Sequence, residues 1–268
     1  MVWMKRCLAI LACCVAVSAL AQNRDGDSGK KPLNLSTSKI LKTPVVGEPQ
    51  RVGSFPVNLA LSPDGRYAAI LDDGYGNIEN EHQQGIGILD LQTNELKFFP
   101  DDRLRSRAHQ TYFIGIGFSG DGTRLYASMA SLSDPLAKEK GSTGNGIAVY
   151  RFEQGQIAPE RFIAIPPQPV ADGKRVASAL SKAPKGTAIP YPAGLAVVHS
   201  TGGEQLLVAD NLSDDVLLLD AASGRIVHRF DLSTSNDIPA AYPYTVVANR
   251  AGTRAWCSLW NASRVAEL

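Results

Sequence analysis

The side chains able to do chemistry are spread thinly along this chain of 268 residues. His82, His109, His199 and His228 stand far apart, with no two at the spacing that joins ligands on a helix turn or a hairpin. Zinc needs three or four convergent nitrogen or sulfur ligands, so no metal residue is expected. Asp72-Asp73-Gly74-Tyr75-Gly76-Asn77, followed by Glu79, Glu81 and His82, is the densest oxygen-rich segment. It lacks the Asp-x-Asp-x-Asp-Gly register of a calcium loop and reads as a solvated loop. Gly141-Ser142-Thr143-Gly144-Asn145-Gly146 lacks the Lys-Ser/Thr of a phosphate loop and leads into a strand. Neither a Gly-x-Ser-x-Gly elbow nor a Cys-x-x-Cys-His haem signal occurs. No catalytic residue is assigned, and the cofactor is left unknown.

One aromatic column carries more information. Phe55-Pro56-Val57-Asn58, Tyr112-Phe113-Ile114-Gly115, Tyr191-Pro192-Ala193-Gly194 and Tyr242-Pro243-Tyr244-Thr245 each precede an apolar run. Aromatics with a polar tip suit a ligand that has both apolar and polar parts. The candidate ligand-binding residues are therefore Asn58, His109, Tyr112, Tyr191, Tyr242 and Tyr244. Arg105 and Arg107 stand close to His109 and add a positive charge suited to an anionic ligand. The competing reading of the same column is packing between neighbouring sheets.

These positions belong to a repeat. Val57 to Asp72 is an apolar run, a turn at Asp64-Gly65 and a second apolar run. The pattern returns from Gly115 to Ser128 with its turn at Asp121-Gly122. It returns from Gly194 to Asp210 through Gly202-Gly203, and from Thr245 to Leu259 through Ala251-Gly252. Such turns need a residue that tolerates positive φ. Third strands follow at Gly85 to Asp90, Gly146 to Tyr150, Asp215 to Asp220 and Arg264 to Leu268. Leu96 to Phe99, Gln156-Ile157 and Arg225 to Phe230 supply fourth strands in three of the copies. Four hairpin-linked strands per repeat predict an all-β fold, a β-propeller of four-stranded antiparallel blades. The blades are expected near 56–99, 112–157, 192–230 and 243–268.

The unequal repeat lengths place the extra residues. Leu59, Ile116, Leu195 and Val246 share one aligned position, separated by 57, 79 and 51 residues. The additions fall between second and third strands, or between fourth and first strands, notably Ala158 to Pro190. Both kinds of connection emerge on one face of a blade ring, which marks that face for binding. Leu268 ends a third strand, and Gln50 to Phe55 reads as a lone strand before the first blade. The expectation is about four blades of a seven-bladed ring, with C-terminal blades missing and exposed edges that favour self-association.

Composition is that of a soluble protein, with 44% hydrophobic residues, 20% charged residues and a net charge of +1. That balance gives no reason to expect nucleic acid as a partner. Residues 1–21 read as a cleaved signal peptide: Lys5-Arg6, an apolar stretch and Ala19-Leu20-Ala21. A lipoprotein signal around Leu11-Ala12-Cys13 is the second reading. A linker over 22–49 follows, the mature chain is periplasmic or secreted, and no membrane span is expected in it. Cys7, Cys13 and Cys14 leave with the leader, so Cys257 remains as a buried, unreactive thiol on a strand.

The Leu59-Ala60-Leu61-Ser62-Pro63-Asp64-Gly65-Arg66 unit and Leu207 to Gly224 resemble the YVTN-type β-propeller repeat over roughly residues 50–268. Blade order, long second-to-third-strand loops and the proline-rich insert are similar to exported bacterial proteins in which a seven-bladed propeller precedes an alkaline-phosphatase-superfamily domain. In those proteins the hydrolytic metal site lies in the C-terminal domain, and no residue here matches it. The resemblance implies a non-catalytic binding or scaffolding propeller, part of a phosphoesterase-linked protein, with an unknown small molecule or protein as partner on the long-loop face. Propeller lactonases supply the alternative, a sugar-acid hydrolase with its active site in the ring.

Overall fold

The computed structural model describes residues 33–34, 40–41, 52–74, 84–105, 109–177, 183–200 and 202–268. The leader expected over 1–21 and the acidic loop from Tyr75 to His82 lie outside the described residues. In the linker, Leu33–Asn34 pairs antiparallel with Ile40–Leu41. That unit is separate from the one over Val52–Leu268.

The second unit is a β-propeller array of four antiparallel blades. Blade 1 runs outward through Pro56–Leu61, Tyr67–Asp72, Gly85–Asp90 and Glu95–Pro100. Thr111–Phe118, Arg124–Ala130, Gly146–Glu153 and Gln156–Ala164 form blade 2. Pro192–Ser200, Gly203–Asp210, Asp215–Asp220 and Ile226–Asp231 form blade 3. Blade 4 has three strands, Pro243–Ala248, Ala255–Leu259 and Arg264–Glu267. Each innermost strand packs on the innermost strand of the next blade.

Local chemistry sets the hairpins. Gly65, Gly122 and Gly252 adopt φ of 71°, 70° and 65°, which a side chain would oppose. At the first two turns, Asp64 and Asp121 accept from the Ser62 and Ser119 hydroxyls and from backbone amides beyond the turn. Two differences from the sequence reading appear. Of the lone strand expected over Gln50 to Phe55, residues 53–55 form bends, with Phe55 at φ 59°, and residues 50–51 lie outside the described residues. The outermost strand of blade 2 extends to Ala164 with a register shift between Pro159 and Arg161. The chain beyond Ala164 turns back on itself, Gln168–Pro169 pairing with Thr187–Ala188. Arg175–Val176 then runs parallel to Asp237–Ile238 of the connection that follows blade 3.

The core lies between blades. Leu71, Ile86 and Ile88 of blade 1 meet Ile116, Phe118 and Leu125 of blade 2. Ile147 and Val149 meet Leu206, Val208 and Leu217 across the next junction, and Leu207, Ala209 and Val216 meet Val246, Cys257 and Leu259 across the third. Alternation along each strand supplies both faces of a blade, so one strand serves two junctions.

Candidate functional site at the channel rim

All four innermost strands carry a register irregularity near their first residues, at Pro56/Asn58, Tyr112/Ile116, Pro192/Leu195 and Pro243/Val246. In blades 2 and 4 the bulge frees a backbone amide for a serine on the second strand of the same blade. Gly115 N–H donates to Ser128 Oγ and Thr245 N–H to Ser258 Oγ, both at 3.0 Å. Because Pro56 pairs with Asp72, Pro192 with Asp210 and Pro243 with Leu259, the ends of the second strands lie at this same rim.

A chain of aromatic rings crosses the rim from blade 2 to blade 4. Phe113 meets the Tyr191 ring edge-on at 5.7 Å and the Tyr244 ring at 5.5 Å. Tyr244 lies 5.8 Å from Trp260, and Trp260 lies 6.4 Å from Tyr242. Three of these pairs are edge-to-face and that of Tyr244 with Trp260 is tilted by 39°; edge-to-face pairs at such distances hold rings rigid while leaving faces free. Phe113, Tyr191 and Tyr244 are half-buried, and Trp260 is 70% exposed.

The residues expected from sequence separate into three groups. Tyr191, Tyr242 and Tyr244 join the ring chain. Tyr112 is fully buried, and its hydroxyl lies 2.5 Å from that of Tyr150, which donates to Asp101 at 2.6 Å. Burial pushes the Asp101 carboxyl up, but hydrogen bonds from Arg103 and Tyr150 outweigh it and hold the group below its ordinary range. Asn58 is exposed and spans two blades, its Nδ2 donating to the Ile114 carbonyl at 2.7 Å. His109 is exposed at φ 48°. Arg107 lies outside the described residues, and Arg105 ends a short 3-10 turn over Asp102–Arg105.

Sequence reasoning passed over Phe113 and Trp260, and it read Asp72 and Asp73 as part of a solvated loop rather than as rim carboxylates. Phe113 reaches the ring chain because blade 2 has two extra residues in its bulge, so Tyr112 turns inward. Trp260 follows the second strand of blade 4, the position that Asp73 holds in blade 1. A signal for both existed in the aligned columns just after each second strand.

Asp72 and Asp73 give the rim its charge. Burial raises both carboxyls to about 7, and the Asp72 charge adds to the rise at Asp73. The Gly53 backbone amide opposes the rise at Asp72 without forming a regular hydrogen bond. Burial, and then the charge of Asp73, raise the Tyr191 phenol to about 12. Asp73 of blade 1 thus acts across the rim on a ring of blade 3.

The opposite, short-turn end carries a groove of about 890 Å³ between blades 2 and 3. Its polar groups already serve one another. Glu204 accepts from Tyr126 Oη at 2.6 Å and from Gly120 N–H at 2.7 Å, and Arg124 pairs with Glu160 at 3.0 Å. Among the described residues, no three His, Cys, Asp or Glu side chains converge to hold a metal ion. No helix among them is long and apolar enough to cross a membrane.

No protein-family model matches the chain, and no curated protein matches it. Solved structures do resemble it. Hydrazine synthase of Kuenenia stuttgartiensis aligns with a TM-score of 0.50 at 12% identity, over 80% of this chain and 58% of that one. The periplasmic gluconolactonase PpgL of Pseudomonas aeruginosa aligns at 0.48 and 14%, over 80% and 56%. The β-propeller domain of Myceliophteria thermophila Cps50 (Swd1) aligns at 0.44 and 12%, over 75% and 48%. The chain therefore spans about half to three-fifths of each structure. At such identities the likeness is one of fold alone.

Proposed function

We propose that the rim is a ligand-binding site for a polyhydroxylated, ring-shaped compound of the sugar-acid type. The observation that carries this reading is the aromatic chain Tyr191–Phe113–Tyr244–Trp260, contributed by three blades and partly open to solvent. Aromatic faces stack on the C–H surface of such a ring, while tyrosine hydroxyls and Asp73 take its hydroxyl groups. In this reading the chain is an exported, YVTN-like binding propeller, the N-terminal part of a larger phosphoesterase-linked protein.

The lactonase-type reading rests on a separate observation. Asp73 is a half-buried rim carboxyl raised to about 7 whose charge acts on the Tyr191 phenol, in the range where one group both takes and returns a proton near neutrality. For a lactone, Asp73 would take a proton from water as the oxygen attacks the carbonyl carbon. The ring C–O bond then breaks, and its oxygen receives the proton.

The experiment is calorimetric titration of the chain with gluconate, alongside pH-stat hydrolysis of glucono-δ-lactone. The binding reading expects Tyr191→Ala/Tyr244→Ala to weaken affinity at least about tenfold, the loss of one or two stacking contacts. Unchanged affinity with lowered stability would leave the rings as packing alone. Hydrolysis above the spontaneous rate that is lost in Asp73→Asn selects the enzymatic reading.

A further inference from the structure

Four side-chain oxygens in one corner of blade 1 are buried and have no hydrogen-bond partner among the described residues: Ser54 Oγ, both oxygens of Asp72, and Asp73 Oδ1. Ser54 is 1% exposed and Asp72 not at all. The two segments that carry them are tied together, Asp73 N–H donating to Phe55 O at 3.1 Å and Gly74 N–H to Ser54 O at 2.9 Å. Glycine at 53 makes room for the carboxylate, since a Cβ there would stand 2.8 Å from Asp72 Cγ and Oδ2.

Other buried acids of this chain find donors. Asp214 accepts from the backbone amides of Ala240, Ala241 and Tyr242. Asp134 takes those of Lys138 and Glu139, and Asp215 takes Ser213 Oγ and Arg229 Nε. The carboxylate of Asp210, at the equivalent place in blade 3, also lacks a hydrogen bond among the described residues, but the Arg229 charge acts on it. No ion pair with a side-chain cation among the described residues serves Asp72 or Asp73. Buried oxygens left without donors are costly, and four of them in one corner, two on a single carboxylate, call for a positive charge.

We propose that Ser54, Asp72 and Asp73 bind a hard divalent cation of the calcium class at the rim end of blade 1. Two carboxylates match its charge, and calcium accepts irregular oxygen sets that include a bidentate carboxylate, carbonyls and water. Magnesium demands near-ideal octahedral geometry, and softer metals seek nitrogen or sulfur, which this corner lacks. The ligands come from two hydrogen-bonded segments, so a single-loop calcium register is not required. The proposal shares Asp73 with the rim reading but uses none of its rings, and because calcium binding is read directly with Asp72 and Ser54 variants, a rim that takes no sugar acid leaves it standing.

The test is calcium titration of the full chain in metal-free buffer by calorimetry, with terbium luminescence as the direct reporter. Wild type is expected to bind one calcium ion and to prefer it over magnesium. Asp72→Asn and Ser54→Ala are each expected to weaken binding at least about tenfold, the lower range for loss of a supporting group at a metal. Should Asp72→Asn fail to fold, Ser54→Ala decides. Wild type that binds no calcium, or variants that bind it as wild type does, would overturn the proposal.

Discussion

Asn58 Nδ2 donates to the Ile114 carbonyl oxygen at 2.7 Å, pinning the innermost strand of blade 1 to that of blade 2. The aligned residues in blades 2 and 3 are Gly115 and Gly194, where the next backbone comes too close for any side chain. A Cβ would lie 2.5 Å from Ala193 O at the first and 2.6 Å from Tyr244 O at the second. Asn58→Ala is expected to lower stability by about 1 kcal/mol, the usual worth of a hydrogen bond. Gly194→Ala must push the Tyr244 backbone away and is expected to cost about 2 kcal/mol or more. Denaturant titration of both variants checks the order.

A second prediction follows from the chain of hydroxyls between blades 1 and 2. Tyr150 gives its only hydroxyl proton to Asp101, so Tyr112 must be the donor in the 2.5 Å contact between the two phenols. Tyr150→Phe removes a donor from Asp101 and the acceptor from a fully buried Tyr112 hydroxyl. It is expected to cost about 2–3 kcal/mol, against about 1 kcal/mol for Tyr112→Phe. Equal losses in denaturant titrations would contradict this order of donors.

Acid and base bear on Asp72 and Asp73 in a direction that can be worked out. Their carboxyls sit near 7 in the folded chain and near 3.8 without burial. Between those values the folded chain holds more protons than the unfolded one, so stability falls as pH rises. In metal-free buffer this contribution is fully present below about pH 4 and is lost by about pH 7 to 8. Asp121 and Asp231, lowered to about 2 by their hydrogen bonds, act oppositely and only at acid pH. The stability difference between wild type and Asp72→Asn therefore isolates the effect. Asp72→Asn should flatten the profile between pH 5 and 8.

Cys257 provides a probe of the third blade junction. Burial pushes its thiol up to about 12, and it is packed with Val246 and Leu259. A thiolate is the reactive form, so the native chain is expected to resist a thiol reagent at pH 8 and to react fully once denatured. Rapid native labelling would mean that this junction opens.

Hairpins and blade order were legible because their signals are local: apolar alternation, and turns whose φ only glycine readily adopts. The rim was legible in part. Tyr191, Tyr242 and Tyr244 lie where the column placed them, whereas Tyr112 and Phe113 exchange roles. Parity along a strand can be counted only in an unbroken register, and the bulge of blade 2 breaks it. Pro159 hid the length of the outermost strand in blade 2. A proline is tolerated there because that strand is an edge and shifts register at that residue. Asp72 reads in sequence both as the last residue of the second apolar run and as the start of an acidic loop. Its pairing with both Pro56 and Gly85 makes it the buried end of that strand.

The two outer faces of the blade array lead to the last prediction. Ile116, Leu195 and Val246 are buried by the blade that precedes each of them, while Leu59, in the same column, is 61% exposed and Leu61 58%. On blade 4, Val247 is 53% exposed and Val265 68%. These faces match in chemistry the surfaces that pair at the three internal junctions, and burying one such side chain yields about 1.5–3 kcal/mol. The chain by itself is therefore expected to self-associate, with a molar mass that rises with concentration in light scattering. Leu61→Lys together with Val265→Lys places a charge on each face, where burial would cost more than contact returns. That variant should shift the chain toward monomer without loss of β-sheet circular dichroism. A wild-type monomer at all concentrations would show that the exposed faces do not drive association.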